Sequence, residues 1–155
     1  MNYKIIIPAT EKELKMYYDL RFEVLRKPWG QPESTTKDDL EEQSLHVLML
    51  NEKGNAIAAG RLQYNSEHEG QIRSMAVTKD LQGHGLGTIV LKFLEEKAAE
   101  KNLSKIILDA RNLAVGFYEK NGYNVERDSY ILFGVIPHFR MIKTLHANSN
   151  KLKSN

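Results

Sequence analysis

The stretch Gln82-Gly83-His84-Gly85-Leu86-Gly87-Thr88 constrains this chain more than any other. It follows an apolar, strand-like run, Ile72 to Thr78, and it opens a segment with strong helical periodicity. Closely spaced glycines remove the side chains that keep a backbone away from a ligand. The helix behind them aims its unpaired N–H groups and the positive end of its dipole at the same place. Strand, glycine loop and helix together make an anion site, suited to a pyrophosphate.

The rest of the chain must build a fold around that loop. Its 155 residues suffice for one domain with a proper core. We expect that domain over residues 1–146 and a disordered polar tail, rich in Lys, Ser and Asn, over 147–155. Hydrophobic residues are 41% and charged residues 27%, an ordinary globular mixture. A net charge of +2 is too mild to argue for a nucleic-acid partner. The lack of cysteine excludes a disulfide framework, a thiolate metal site and a cysteine nucleophile. Five histidines without paired ligand spacing predict no metal site. The apolar run at the N-terminus is too short for a signal peptide, and no stretch approaches the roughly 20 apolar residues of a membrane span. A cytoplasmic protein with no membrane partner is the expectation.

Hydrophobic spacing sets the element order. Tyr3–Ile7 predicts a strand stopped by Pro8. Thr10 and Glu13 have the capping-box spacing, and Leu14, Tyr18, Phe22 and Leu25 recur at helical spacing, predicting a helix to about Lys27. Residues 28–44 are polar and long for a connection, with room for a short helix near Asp38–Gln43. Leu45–Leu50, Ala56–Tyr64 and Gln71–Thr78 predict an antiparallel meander. Beyond the glycines, Leu86, Ile89, Val90, Phe93, Leu94 and Ala98 share one face of a helix. Lys105–Leu108 predicts a buried strand. Asn112–Lys120 predicts a short helix with Asn112 as N-cap and Gly122 as its stop. Tyr123–Phe133 and Pro137–Leu145 predict a final strand pair. The order β-α-β-β-β-α-β-α-β-β is that of a single α+β domain with a mixed sheet.

Three phosphate ligands compete for the loop. A nucleoside-triphosphate loop needs Lys-Ser/Thr directly after its last glycine. Here Thr88-Ile89 follow Gly87, and the next lysine is Lys92. A dinucleotide fingerprint needs Gly-x-Gly-x-x-Gly/Ala after the first strand of a parallel sheet. Here Thr88 stands where its third glycine belongs, and a meander precedes the loop.

The third reading rests on two motifs. Gln82-x-x-Gly85-x-Gly87, preceded by Met75-Ala76-Val77, resembles the pyrophosphate loop and its strand in the GNAT (GCN5-related) N-acetyltransferases. Asn112-Leu113-Ala114-Val115-Gly116-Phe117-Tyr118-Glu119-Lys120-Asn121-Gly122-Tyr123 resembles a later segment of the same family. The segment Arg21 to Pro32, with Asp39, His46, Gly60-Arg61-Leu62 and Gly134-Val135-Ile136-Pro137-His138, is similar to the small bacterial ElaA-type branch. The resemblance implies a central, mostly antiparallel sheet of about seven strands flanked by helices. It implies acetyl transfer from acetyl-CoA, as cosubstrate, to a primary amine by direct attack in a ternary complex. A small molecule or a peptide would carry that amine.

On this pattern Gln82, Gly83, His84, Gly85, Leu86, Gly87 and Thr88 hold the pyrophosphate. The pantetheine arm runs along Met75, Ala76 and Val77, where the fourth and fifth strands splay apart in this family. A backbone N–H near Val77 faces the developing oxyanion. Tyr118 is the general acid, because a phenol is still protonated at neutral pH and can donate to the departing thiolate. Asn112 contacts the pantetheine or caps its helix, Phe117 packs beside the thioester, and Lys120 meets a phosphate or solvent. The base is less defined. His138, in a Gly/Pro-containing connection before the last strand, leads His46 and Glu69, because imidazole titrates near neutrality. Trp29 and Arg73 are candidates for lining the acceptor cleft. Asp38-Asp39 with Glu41-Glu42 reads as a solvated face, or as a site for a cationic amine. A non-catalytic acyl-CoA sensor is the alternative reading, and a homodimer stays open.

Overall fold

The computed structural model describes residues 2–146. The tail expected at 147–155 lies outside them. Strand β1 (Tyr3–Ile6) leads into helix α1 (Glu11–Leu25). The predicted capping box is formed: the Glu13 N–H donates to Thr10 Oγ1 at 3.1 Å, and the Thr10 N–H donates to Glu13 Oε1 at 3.2 Å. Strands β2 (Leu45–Asn51), β3 (Ala56–Tyr64) and β4 (Glu69–Val77) follow, then helix α2 (Leu86–Glu100) and strand β5 (Lys105–Arg111). Helix α3 (Val115–Lys120) and strands β6 (Asn124–Leu132) and β7 (Ile136–Thr144) complete the described chain. The sheet order is β1-β2-β3-β4-β5-β7-β6. β4 and β5 pair in parallel from Glu69↔Lys105 to Gln71↔Ile107. β1/β2, β2/β3, β5/β7 and β6/β7 are antiparallel. The predicted α+β class, element order and strand count all hold.

The chain divides into two compact units. Among the described residues, unit 1 takes 2–63 and 74–94, and unit 2 takes 64–73 and 95–146. In unit 1, Tyr17 and Leu20 of α1 bury against Leu48 and Ala59 of the sheet. Each large apolar side chain fully buried here contributes about 1.5–3 kcal/mol. Gly60 sits where a strand and α2 nearly touch: a Cβ there would lie 2.8 Å from Met75 Sδ and Val90 Cγ1 and 2.9 Å from Leu94 Cδ1. Only a glycine admits that approach without displacing a neighbour. In unit 2, Ile106, Leu108 and Ala110 of β5 and Met141 of β7 are buried. Tyr123 donates to Glu95 Oε2 at 2.8 Å, and Lys143 Nζ lies 3.1 Å from both Glu95 oxygens.

At four places the structure adds to or corrects what the sequence predicts. The inward face of α1 carries Tyr17, Leu20 and Arg21, whereas Leu14, Tyr18 and Phe22 are only half-buried. They line a groove of about 480 Å³ with Glu33, Ser34, Thr36 and Lys37. Polar partners explain the rotation, because the Tyr17 hydroxyl and the Arg21 guanidinium both find buried acceptors. Residues 28–44 form the long polar connection expected, and the short helix expected near Asp38–Gln43 is present as the turn Glu41–Gln43. Three 3-10 turns, Lys27–Trp29, Glu33–Thr35 and Glu41–Gln43, order the segment, and Glu41 is buried rather than solvated. Asn112 is not an N-cap. It opens a 3-10 turn, Asn112–Ala114, and no side chain caps that turn or α3. His138 lies inside β7, not in the connection, because the turn closes earlier, at Phe133 and Gly134 with φ 53° and 71°.

Candidate active site

The glycine loop lies within unit 1. Gly83 and Gly85 both have φ 84°, a conformation that glycine reaches without the penalty a Cβ incurs. A Cβ added at either position would meet nothing within 4 Å. The loop is therefore shaped by its backbone and open above it. Gln82 braces it, donating from Nε2 to the Val77 carbonyl at 3.1 Å. The Ile89 N–H donates to the Gly85 carbonyl at 3.3 Å, so Gly85 starts the helical ladder. Leu86 is buried and anchors the first turn, Gly87 and Thr88 are half-buried, and His84 is exposed. The orphan N–H groups of this first turn share the dipole's positive end. In the preceding strand Ala76 is buried and Met75 and Val77 are half-buried. Ser74 just before them has φ 56°, a left-handed kink in mid-strand. Such outliers cluster where a backbone is shaped for function. Nothing in a serine-containing strand sequence announces it.

Unit 2 holds the second motif. Tyr118 is 8% exposed, edge-on to Phe117 at 5.0 Å and to Tyr123 at 5.8 Å. Burial pushes its phenol up to about 12, with Arg111 opposing. The group is thus a proton donor at neutral pH and not a base. Phe117 is half-buried, while Asn112 and Lys120 are exposed at the start and end of their turns.

The candidate bases separate on their hydrogen bonds. His46 Nε2 lies 2.6 Å from the Glu41 carbonyl oxygen, which can only accept, so that nitrogen carries the hydrogen. Its Nδ1 then accepts from the Tyr17 hydroxyl at 2.6 Å. Burial holds His46 below the ordinary imidazole range, and both nitrogens are engaged, so it is structural. Glu69 opens β4, accepts from Asn65 Nδ2 at 2.9 Å and faces Lys105 Nζ at 3.5 Å. His138 is buried with its Nδ1 2.9 Å from the Ile136 carbonyl oxygen. Of the acceptor-cleft candidates, Trp29 is exposed in its 3-10 turn of unit 1, and Arg73 is exposed in β4 of unit 2.

Sequence reading missed the ionic cluster of unit 1. Glu41 accepts from Arg21 Nη1 at 2.6 Å and Arg61 Nη1 at 2.7 Å, and Asp38 Oδ2 lies 2.9 Å from Arg61 Nη1. Arg21 Nη2 donates to the Thr36 carbonyl at 2.7 Å. The two arginines thereby clamp the 28–44 segment. A charged residue within the apolar run Ala56–Leu62 was the available signal, since a buried charge demands a partner.

Residues 14–123 match the model of the Acetyltransferase (GNAT) family. The uncharacterised N-acetyltransferase YjcF of Bacillus subtilis is 34% identical over 140 residues, covering 90% of this chain and 99% of its own. Among solved structures, a candidate N-acetyltransferase of Lactobacillus plantarum superposes with a TM-score of 0.83 at 24% identity, over 94% of this chain and 100% of that one. An aminoglycoside 6'-N-acetyltransferase complexed with coenzyme A gives 0.77 at 15% identity, over 96% and 99%. ElaA of Escherichia coli gives 0.77 at 20% identity, over 92% and 98%. These structures share the fold, and the family match and the YjcF relative decide membership: the chain belongs to the GNAT acetyltransferase family.

Proposed function

We propose that this chain is an N-acetyltransferase that moves an acetyl group from acetyl-CoA to a primary amine by direct attack in a ternary complex. The observation that carries this reading is the glycine loop: two residues at φ 84° with open space above both, running into a 15-residue helix. The backbone from Gln82 through Thr88 offers N–H groups to a pyrophosphate. Met75, Ala76 and Val77 offer strand backbone to the pantetheine arm, and the Val77 N–H serves the oxyanion. Asn112, Phe117 and Lys120 are assigned to the cosubstrate on the family motif. Acetyl-CoA supplies the thioester carbonyl that the amine attacks. Tyr118 keeps its proton at neutral pH and delivers it to the departing thiolate. The chain has no cysteine, so the acetyl group does not rest on a protein thiol. Trp29 and Arg73 are assigned to the acceptor.

The test is thiol release from acetyl-CoA against a panel of polyamines, amino acids, peptides and aminoglycosides, with the acetylated product identified by mass. Acetylation of at least one amine is the expected result. Coenzyme A binding without any acetylation would instead favour an acyl-CoA sensor.

A further inference from the structure

We propose that His138 Nε2 takes the proton from the acceptor ammonium, and that a bulge in β6 positions its ring for that step. The inference rests on the acyltransfer reading above.

The Ile136 carbonyl can only accept, so the contact at 2.9 Å places the ring hydrogen on Nδ1. In the neutral imidazole the lone pair then sits on Nε2. Among the described residues Nε2 has no hydrogen-bond partner, whereas His46 has both nitrogens engaged. The β6–β7 register shows how the ring is held. Asp128 pairs with Phe139 and Ile131 with Pro137, so two residues of β6, Ser129 and Tyr130, stand against His138 alone. A bulge of this kind re-aims side chains. Here it lays the Tyr130 ring parallel to the imidazole, 4.5 Å between centroids and 14° between planes. It also turns Ser129 Oγ to donate to Asp109 Oδ1 at 2.7 Å. In the register of β5 and β7, Arg111 stands opposite His138, and the Asp109–Arg140 pair lies two residues further along, with Arg140 Nε 3.1 Å from Asp109 Oδ1.

The step balances. His138 Nε2 accepts one proton from R–NH3+, leaving R–NH2 and an imidazolium. The amine lone pair forms the N–C bond to the thioester carbonyl carbon. The C–S bond breaks with its electron pair on sulfur, and sulfur takes the Tyr118 proton. The new amide nitrogen returns a proton to the Tyr118 oxygen, and the imidazolium releases its own to solvent. One proton is released per acetyl group transferred.

Two measurements test this. Long-range 1H–15N spectra of histidine-labelled protein at alkaline pH should show neutral His138 with the hydrogen on Nδ1. A hydrogen on Nε2 would overturn the positioning. With an amine that the wild type acetylates, His138→Gln should lower kcat about 100-fold or more, flatten the rise of activity with pH, and leave acetyl-CoA affinity unchanged. Tyr130→Phe keeps the stacked ring and should retain most of kcat. Tyr130→Ala should lower kcat without changing acetyl-CoA affinity, a split that also serves if His138→Gln does not fold. An active wild type with an unaffected His138→Gln or Tyr130→Ala sinks this role alone. A wild type that acetylates no amine sinks acyltransfer and this role with it.

Discussion

Replacing Glu41 by Gln removes one charge from the middle of the unit 1 cluster while keeping its size. The carboxylate accepts from Arg21 Nη1 and Nη2 at 2.6 and 3.1 Å, Arg61 Nη1 at 2.7 Å, the Asp38 N–H at 3.1 Å and the Tyr18 hydroxyl at 3.2 Å. Gln keeps one acceptor oxygen and turns an NH2 donor toward guanidinium donors. Arg61 retains Asp38, but the 2%-exposed Arg21 loses its carboxylate partner and keeps the Thr36 carbonyl, a long contact of 3.4 Å to the Tyr17 hydroxyl and the faces of the Tyr17 and Tyr18 rings. Breaking a buried pair on one side costs about 3–5 kcal/mol. For a chain of this size that lowers Tm by on the order of 10 °C. Burial pushes the Glu41 carboxyl up, but the Arg21 pairing, the Asp38 N–H and Arg61 outweigh it and hold the group below its ordinary value of 4.5. A carboxylate depressed in the folded state contributes stability above its unfolded value and loses it as pH falls through the folded one. The wild type should therefore lose this contribution below about pH 4.5, and Glu41→Gln should lack that part of the acid sensitivity. Urea titrations of both proteins at neutral pH and at acid pH read both effects. A loss below about 1 kcal/mol, the value of an exposed pair, would refute the claim that the cluster clamps residues 28–44.

Gly60→Ala puts a methyl within 2.9 Å of Met75, Val90 and Leu94. It should destabilise by about 1–3 kcal/mol in thermal unfolding, and a neutral effect would mean that the strand and α2 approach less closely than the structure shows. Tyr118→Phe removes the proton donor and should cut kcat by about tenfold or more while acetyl-CoA affinity stays within about twofold. Unchanged turnover removes Tyr118 from the chemistry.

The parts of the chain that sequence revealed are those whose cause is local. The Thr10–Glu13 cap needs two residues three apart, and the glycine loop needs φ values that its own residues permit. The parts it hid are those whose cause is remote. Glu41 reads as one acid among several until Arg21 and Arg61, each 20 positions away, close on it. His138 stands where the Gly/Pro-containing connection meets the predicted strand Pro137–Leu145, and β7, which already begins at Ile136, places it inside the strand. The bulge that stacks Tyr130 on His138 depends on strand register, which β6 does not determine alone. Asn112 fails as a cap because the chain enters α3 through a 3-10 turn, a choice that an Asn does not announce.

The central claim is that the loop at Gly83–Thr88 binds the pyrophosphate of acetyl-CoA. Gly83→Asp tests it well, because Asp tolerates a left-handed backbone better than most residues and its Cβ would meet nothing within 4 Å. The change should leave the fold in place while setting a negative charge in the anion site. Gly83→Asn is the neutral control. Calorimetric titration with acetyl-CoA should give wild-type binding, modest weakening in the Asn variant and at least a tenfold further loss in the Asp variant, about 1.4 kcal/mol. Equal affinity in all three proteins, or no binding to the wild type, would contradict the account.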